Sequence, residues 1–214
     1  MGLAIVVGIL GAVDGPEVRA EITADLSALR RLLTLAGLPT WHEPPSPGEE
    51  HPAEYEMYGY RGLHHLRRLA VHVAHAGMLP PPLAAGGDPA ADPLLRAAYD
   101  GEPDGGGFDH LVHHSDAEGY YLPVDFADVL YDDSITGAYV GSSPRLLAEC
   151  ERLAAMLGLP AGLDPWSAEV EEAIESEGPA APGWRGYAVE SFTCLQLISA
   201  ARRSVTTGAA LVFC

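Results

Sequence analysis

Basic residues are scarce in this sequence: it contains no lysine, and its 12 arginines face 30 aspartates and glutamates, for a formal net charge of −18 over 214 residues. A protein that contacts the phosphate backbone needs a cationic surface, so we expect no nucleic acid partner. A strong negative field favours encounter with a cationic protein surface, although solubility alone is an alternative reason for the acidity. The charge therefore predicts a basic protein partner.

Cysteines and long hydrophobic runs are also few. The three cysteines, Cys150, Cys194 and Cys214, are odd in number and far apart, which is a poor pattern for a disulfide framework or a zinc site. The apolar run over residues 2–13 is about half as long as a membrane-spanning helix and lacks the basic start of a signal peptide. No cofactor motif is complete. We therefore expect a cytoplasmic protein with no membrane partner and no cofactor.

Hydrophobic periodicity indicates the fold. The apolar residues 1–13 predict a buried strand placed centrally in a sheet, and residues 209–213 predict a final strand. Apolar residues at helical spacing predict amphipathic helices over residues 14–37, 62–76, 92–99, 144–157, 164–176 and 189–206. The order of elements predicts an α/β or α+β fold, in which a single mixed β-sheet is covered by amphipathic helices. A single globular domain over residues 1–214 is expected, with mobile loops at about residues 39–60 and 79–107.

The densest group of polar and titratable side chains lies in residues 109–126, after a short apolar strand predicted at residues 108–112. Polar groups at the end of a strand often contact ligands, because a rigid element fixes their direction. The carboxylates would supply charge and the two tyrosines aromatic anchors, although strand packing is an alternative role for the tyrosines. The predicted binding residues are His113, His114, Asp116, Glu118, Tyr120, Tyr121 and Asp125.

An enzyme is the alternative function. His114, Ser115 and Asp116 could form the catalytic group of a His/Asp-centred hydrolase, and His72, His75, His114 and Asp116 could bind a metal ion if the helix over residues 62–76 lies near residues 110–118. Ser115 lacks the Gly-x-Ser-x-Gly context of a nucleophile, and a turn closed by Ser115 and Asp116 is the structural alternative. The His/Arg face of the helix also permits a third interpretation, a pH-sensitive regulator.

Four segments carry a resemblance to known proteins: the Met-Gly-Leu start and residues 60–68, 114–123 and 190–194. Together they resemble an uncharacterised family of small actinobacterial proteins, which implies no activity. Residues 114–123 also resemble segments of immunity proteins that neutralise bacterial toxins, which implies occlusion of a partner. The leading hypothesis is thus an acidic, immunity-like interaction module that binds a basic protein through residues 109–126.

Overall fold

A computed structural model describes residues 3–12, 15–45, 53–59, 61–84, 86–101, 105–176 and 182–214. The strands are β1 (Ala4–Val7), β2 (Ala53–Glu56), β3 (Gly119–Leu122), β4 (Leu130–Tyr131), β5 (Tyr139–Ser142) and β6 (Leu211–Phe213). The helices are α1 (Ile9–Ala12), α2 (Pro16–Leu35), α3 (Arg61–Ala76), α4 (Pro93–Asp100), α5 (Asp109–Val112), α6 (Ser143–Leu157), α7 (Ala168–Glu175) and α8 (Ala188–Thr207). Short 3-10 turns cover Pro89–Ala91 and Gly183–Tyr187.

The six strands form one sheet in the order β2-β1-β6-β3-β5-β4. β3 and β5 are parallel, whereas the other neighbouring pairs are antiparallel, so the sheet is mixed. β1 lies inside the sheet, as its apolar sequence predicts, but it is short because Gly8 adopts a φ of 91° and α1 follows. β2 and β4 are the two edge strands.

Helices cover both faces of this sheet. Ile5 and Val7 of β1 belong to the apolar cluster shared with α3, α6 and α8, whereas Val6 belongs to the cluster shared with α2. This alternation follows from the period of two along a strand. The predicted fold class, a mixed sheet with amphipathic helical cover, is therefore confirmed. Within the described ranges, no helix combines the length and the apolar character needed to cross a bilayer.

Residues 108–112 are not the predicted strand, because α5 occupies this position. The Glu149 carboxylate accepts hydrogen bonds from the backbone N–H groups of His110 at 3.1 Å and Leu111 at 2.7 Å. These bonds satisfy donors that the first turn of a helix leaves unpaired. A contact to α6 thus decides the local conformation here.

The two segments predicted as loops contain regular structure. β2 lies in the first, where no strand was predicted. α4 lies in the second and confirms the helix predicted over residues 92–99; Asp92 caps it by accepting a hydrogen bond from Leu94 N at 2.9 Å. Residues 46–52, 60, 85 and 102–104 of these segments, like the helix start predicted at Asp14, lie outside the described residues. The mobility of the two segments and the single-domain organisation stay predictions.

Candidate protein-binding surfaces

The predicted binding residues of the 109–126 segment divide into buried and exposed groups. His114, Tyr120 and Tyr121 are buried, and His113 is half-buried. Asp116, Glu118 and Asp125 are exposed. A partner at this surface can therefore reach the carboxylates, but not the rings of the two tyrosines.

Tyr120 and Tyr121 enter opposite cores because they are adjacent on β3. Tyr120, 3% exposed, donates a hydrogen bond to Asp25 on α2 at 2.7 Å. Tyr121, 0% exposed, donates to the backbone oxygen of His110 at 2.9 Å. Burial and the Asp25 carboxylate raise the pKa of Tyr120, so its hydroxyl stays a donor. The predicted role of these two tyrosines as aromatic anchors at an interface is therefore wrong, because both side chains pack in the core on either side of β3.

His114 is part of the same core. Its ring stacks on Tyr121 with centroids 4.0 Å apart, and its two nitrogens face the carbonyl oxygens of Tyr120 and Ser115 at 3.1 and 3.2 Å. Burial lowers the pKa of His114 to about 3, so the imidazole is neutral. A neutral imidazole carries one N–H, so it donates to one of these carbonyl oxygens. Its unprotonated nitrogen is enclosed by the core and cannot reach a substrate as a general base.

The catalytic group His114, Ser115 and Asp116 is not assembled. Ser115 Oγ accepts hydrogen bonds from the backbone N–H groups of Ala117 and Glu118, which is the turn expected as the structural alternative. The Asp116 carboxylate instead contacts His64 Nε2 on α3 at 3.2 Å. Helix α3 therefore does lie beside the 110–118 segment, but this contact is made by His64 and not by the predicted His72 or His75.

The metal set His72, His75, His114 and Asp116 does not converge either. His72 Nε2 lies 2.9 Å from Asp92 Oδ2, which also accepts a hydrogen bond from Arg68, so this imidazole helps to fix α4 against α3. Within the ranges the structure describes, no group of three or more His, Cys, Asp or Glu side chains could hold a metal ion. The geometry therefore gives the metal-dependent alternative no site.

A buried arginine fixes the segment that precedes the exposed carboxylates. Arg67 donates to the backbone oxygens of Leu111 at 2.7 Å, His114 at 2.6 Å and Ser115 at 3.0 Å. Leu111 lies in the last turn of α5, where backbone carbonyls lack helical partners, and His114 and Ser115 follow the helix. The planar guanidinium of Arg67 on α3 thereby fixes the backbone position from which residues 115–118 extend to the surface.

Exposed carboxylates cluster at the β4 edge of the sheet. From residue 115 to residue 144 the sequence has six acidic residues and no arginine, lysine or histidine. Residues 118 and 137 are in backbone contact, which brings the turn before β3 against the connection from β4 to β5. We call this surface the β4 face and define it by the exposed side chains of Asp116, Glu118, Asp125, Asp128 and Asp133.

A cleft with tyrosine walls opens on the β4 face. Its volume is about 650 Å³, and Tyr99, Tyr131, Tyr139 and Asp116 are among the residues that line it. Tyr131 and Tyr139 meet edge to face with centroids 5.2 Å apart, and Tyr131 donates a hydrogen bond to Asp133. Aromatic surface is therefore available beside the carboxylates, but it comes from tyrosines outside the predicted segment.

A second acidic surface lies at the other edge of the sheet. The four glutamates of α7 are all exposed, and one of them, Glu169, forms an ion pair with Arg185. Glu171 and Glu175 line a groove together with Glu56, the last residue of the edge strand β2. The chain thus presents negative charge at both ends of its sheet.

One comparison with known proteins finds a match. A family model described as "Putative DNA-mimic protein" matches residues 1–213. No curated protein matches. No solved structure matches. The match corrects the prediction of a basic protein partner with no nucleic acid involved, because mimicry of DNA points to protein partners that bind DNA.

Proposed function

Because the chain belongs to the DNA-mimic family, we propose that it occupies the DNA-binding surface of a protein partner through the β4 face. The observation that carries the proposal is the set of five exposed carboxylates on the β4 face. Within the described part of the chain, Glu118, Asp128 and Asp133 form no ion pair, whereas Asp125 pairs with Arg145 and Asp116 contacts His64. Duplex DNA offers phosphates to arginines and lysines of its binding proteins, and carboxylates can accept the same charge-assisted hydrogen bonds. The bound protein would then exclude DNA by occupying its site.

The net charge of the whole chain supports this function at longer range. A net charge of −18 steers a cationic surface towards the protein and raises the rate of encounter. DNA gains much of its affinity from the release of condensed counterions, whereas a folded protein with spaced carboxylates condenses fewer of them. The affinity of the partner should therefore fall less steeply with salt for this protein than for duplex DNA.

Because this protein gains less free energy from counterion release than DNA does, uncharged contacts must supply part of its affinity for the partner. Tyr131 and Tyr139 are partly exposed beside the carboxylates of the β4 face. Tyrosine is enriched among the residues that dominate binding energies at protein interfaces. In this proposal the carboxylates position the partner, and the two tyrosines supply desolvated contact area.

The immunity-like role predicted from the sequence is a narrower form of the same proposal. A toxin that acts on DNA carries a basic DNA-binding cleft, so it belongs to the class of partners that a DNA mimic would occlude. A cytoplasmic location, also predicted from the sequence, would place the protein where such partners act. Neither refinement is needed for DNA mimicry itself.

Capture followed by elution with DNA tests the proposal. The immobilised protein is exposed to the fraction of a lysate of its own organism that duplex DNA–cellulose retains, and bound proteins are eluted with duplex DNA at constant salt. We expect DNA to release DNA-binding proteins, whose affinity is then measured by fluorescence anisotropy. Failure of DNA to displace any captured protein would contradict mimicry.

Two variants with equal charge locate the interface. Glu118→Gln, Asp128→Asn and Asp133→Asn together remove three charges from the β4 face, and Glu17→Gln, Glu21→Gln and Glu172→Gln remove three exposed charges elsewhere. At roughly 0.5–1 kcal/mol for each interfacial ion pair, the first set should weaken partner binding about 10-fold or more. The second set should change it by less than about twofold. Equal losses in both would show that only net charge matters.

A further inference from the structure

The groove between α7 and the end of β2 has an apolar floor and two exposed aromatic walls. Its volume is about 400 Å³. Phe192 at its floor is buried, and its ring meets Trp166 at 5.1 Å and Tyr58 at 6.3 Å between centroids, both edge to face. Trp166 is 62% exposed and Tyr58 is 48% exposed. An aromatic cluster of this kind is characteristic of an interaction site, because large exposed rings gain free energy when a partner covers them.

The groove is negatively charged and has no cation of its own. Glu56, Glu171 and Glu175 line it, and no arginine or histidine lies among its described lining residues. Within the described part of the chain, none of these three glutamates takes part in an ion pair. This contrasts with Glu169 on the same helix, which pairs with Arg185.

From this geometry we propose that the groove binds a basic peptide segment of a protein partner that carries an apolar anchor side chain. The anchor packs against the Phe192 floor, and flanking lysines or arginines pair with the three glutamates. A cation over the exposed Trp166 ring adds a cation–π contact. The carboxylates repel an acidic peptide, so charge complementarity selects the occupant.

This second docking site is independent of the β4 face. β2 and β4 are the two edge strands of the sheet, so the groove and the β4 face lie at opposite ends of it. The groove can therefore be occupied while the β4 face is free. A partner that engages both surfaces would gain affinity from bivalency.

Two synthetic peptides of equal length and charge test the proposal, one alternating lysine with leucine and one alternating lysine with serine. Trp166 reports the binding, because the other two tryptophans, Trp41 and Trp184, are buried. The leucine peptide should shift the tryptophan emission to shorter wavelength and saturate. By anisotropy of labelled peptides, it should bind at least 10-fold more tightly than the serine peptide. Equal binding of the two peptides would overturn the proposal.

Matched charge variants locate the peptide. Glu56→Gln, Glu171→Gln and Glu175→Gln together should weaken the leucine peptide at least 10-fold, whereas the three substitutions on the β4 face should change its affinity less than twofold. Trp166→Ala, which replaces an exposed side chain, should also weaken it at least fivefold. Equal losses in the two charge variants, or unchanged binding by Trp166→Ala, would overturn the proposal. No DNA-binding protein takes part in this assay, so its failure leaves the function of the β4 face untouched.

Discussion

Glu43 offers the most direct test of how burial controls the stability of this protein. Its Oε2 accepts a hydrogen bond from Ala210 N at 2.7 Å, next to β6. Its Oε1 is buried and has no hydrogen-bond partner within normal distance among the described residues. Burial raises the pKa of Glu43 from 4.5 to about 7, because the ionised form loses hydration.

The raised pKa makes the stability depend on pH. Below about pH 4.5 the carboxyl is protonated in both states, and the free energy of unfolding carries no penalty. As pH rises from 4.5 to 7, the unfolded chain ionises first, so the native state loses stability. Above pH 7 the loss is complete. A shift from 4.5 to about 7 corresponds to roughly 3 kcal/mol.

Glu43→Gln removes this ionisation and keeps an acceptor for Ala210 N. We expect the variant to exceed the free energy of unfolding of the wild type by about 1 kcal/mol or less at pH 5 and by about 2–3 kcal/mol at pH 8. Urea denaturation at pH 5, 6, 7 and 8 measures the difference. Glu149, whose pKa is also raised to about 7 by burial, should leave part of the pH dependence in the variant.

Glu54→Gln is the matched control, because Glu54 is exposed and the substitution changes the net charge equally. It should follow the wild type at every pH. If Glu43→Gln gave the same difference at pH 5 and pH 8, burial of an ionisable carboxyl would not be the cause. If both variants gained stability at high pH, relief of the overall negative charge would explain the gain.

Three further substitutions test the core around β3. Tyr120→Phe removes the donor to the buried Asp25 carboxylate and should cost about 1–3 kcal/mol in urea denaturation, so an unchanged midpoint would contradict that bond. Gly141→Ala places a Cβ against the ring of Tyr121 and should cost about 1–3 kcal/mol of thermal stability; a wild-type melting temperature would disprove the close packing. Arg67→Met removes the guanidinium donor from the carbonyl oxygens of Leu111, in the last turn of α5, and of His114 and Ser115, which follow it, and should cost about 3 kcal/mol. Faster hydrogen exchange at residues 115–118 is the expected local sign, and unchanged exchange there would argue against the anchoring role.

Periodicity predicted those elements whose apolar pattern is continuous. The helix predicted over residues 62–76 is α3 at Arg61–Ala76, and the helix over residues 144–157 is α6 at Ser143–Leu157. Both carry an apolar stripe that packs on the sheet, so the pattern and the tertiary structure agree. Residues 108–112 were wrongly predicted as a strand. The four residues of α5 depend on the Glu149 carboxylate of α6, and a cap from another helix leaves no pattern in the local sequence.

The sequence by itself determined the charge of this protein and its mixed sheet with helical cover, because composition and hydrophobic period act locally. Only the tertiary structure decided which side chains of residues 109–126 reach solvent. Alternation along β3 is the same whether one or both faces of a sheet are covered, and α2 covers the second face, so Tyr120 is buried as well as Tyr121. Likewise, the contact of Asp116 with His64 joins residues that are distant in the chain, and only packing brings them together.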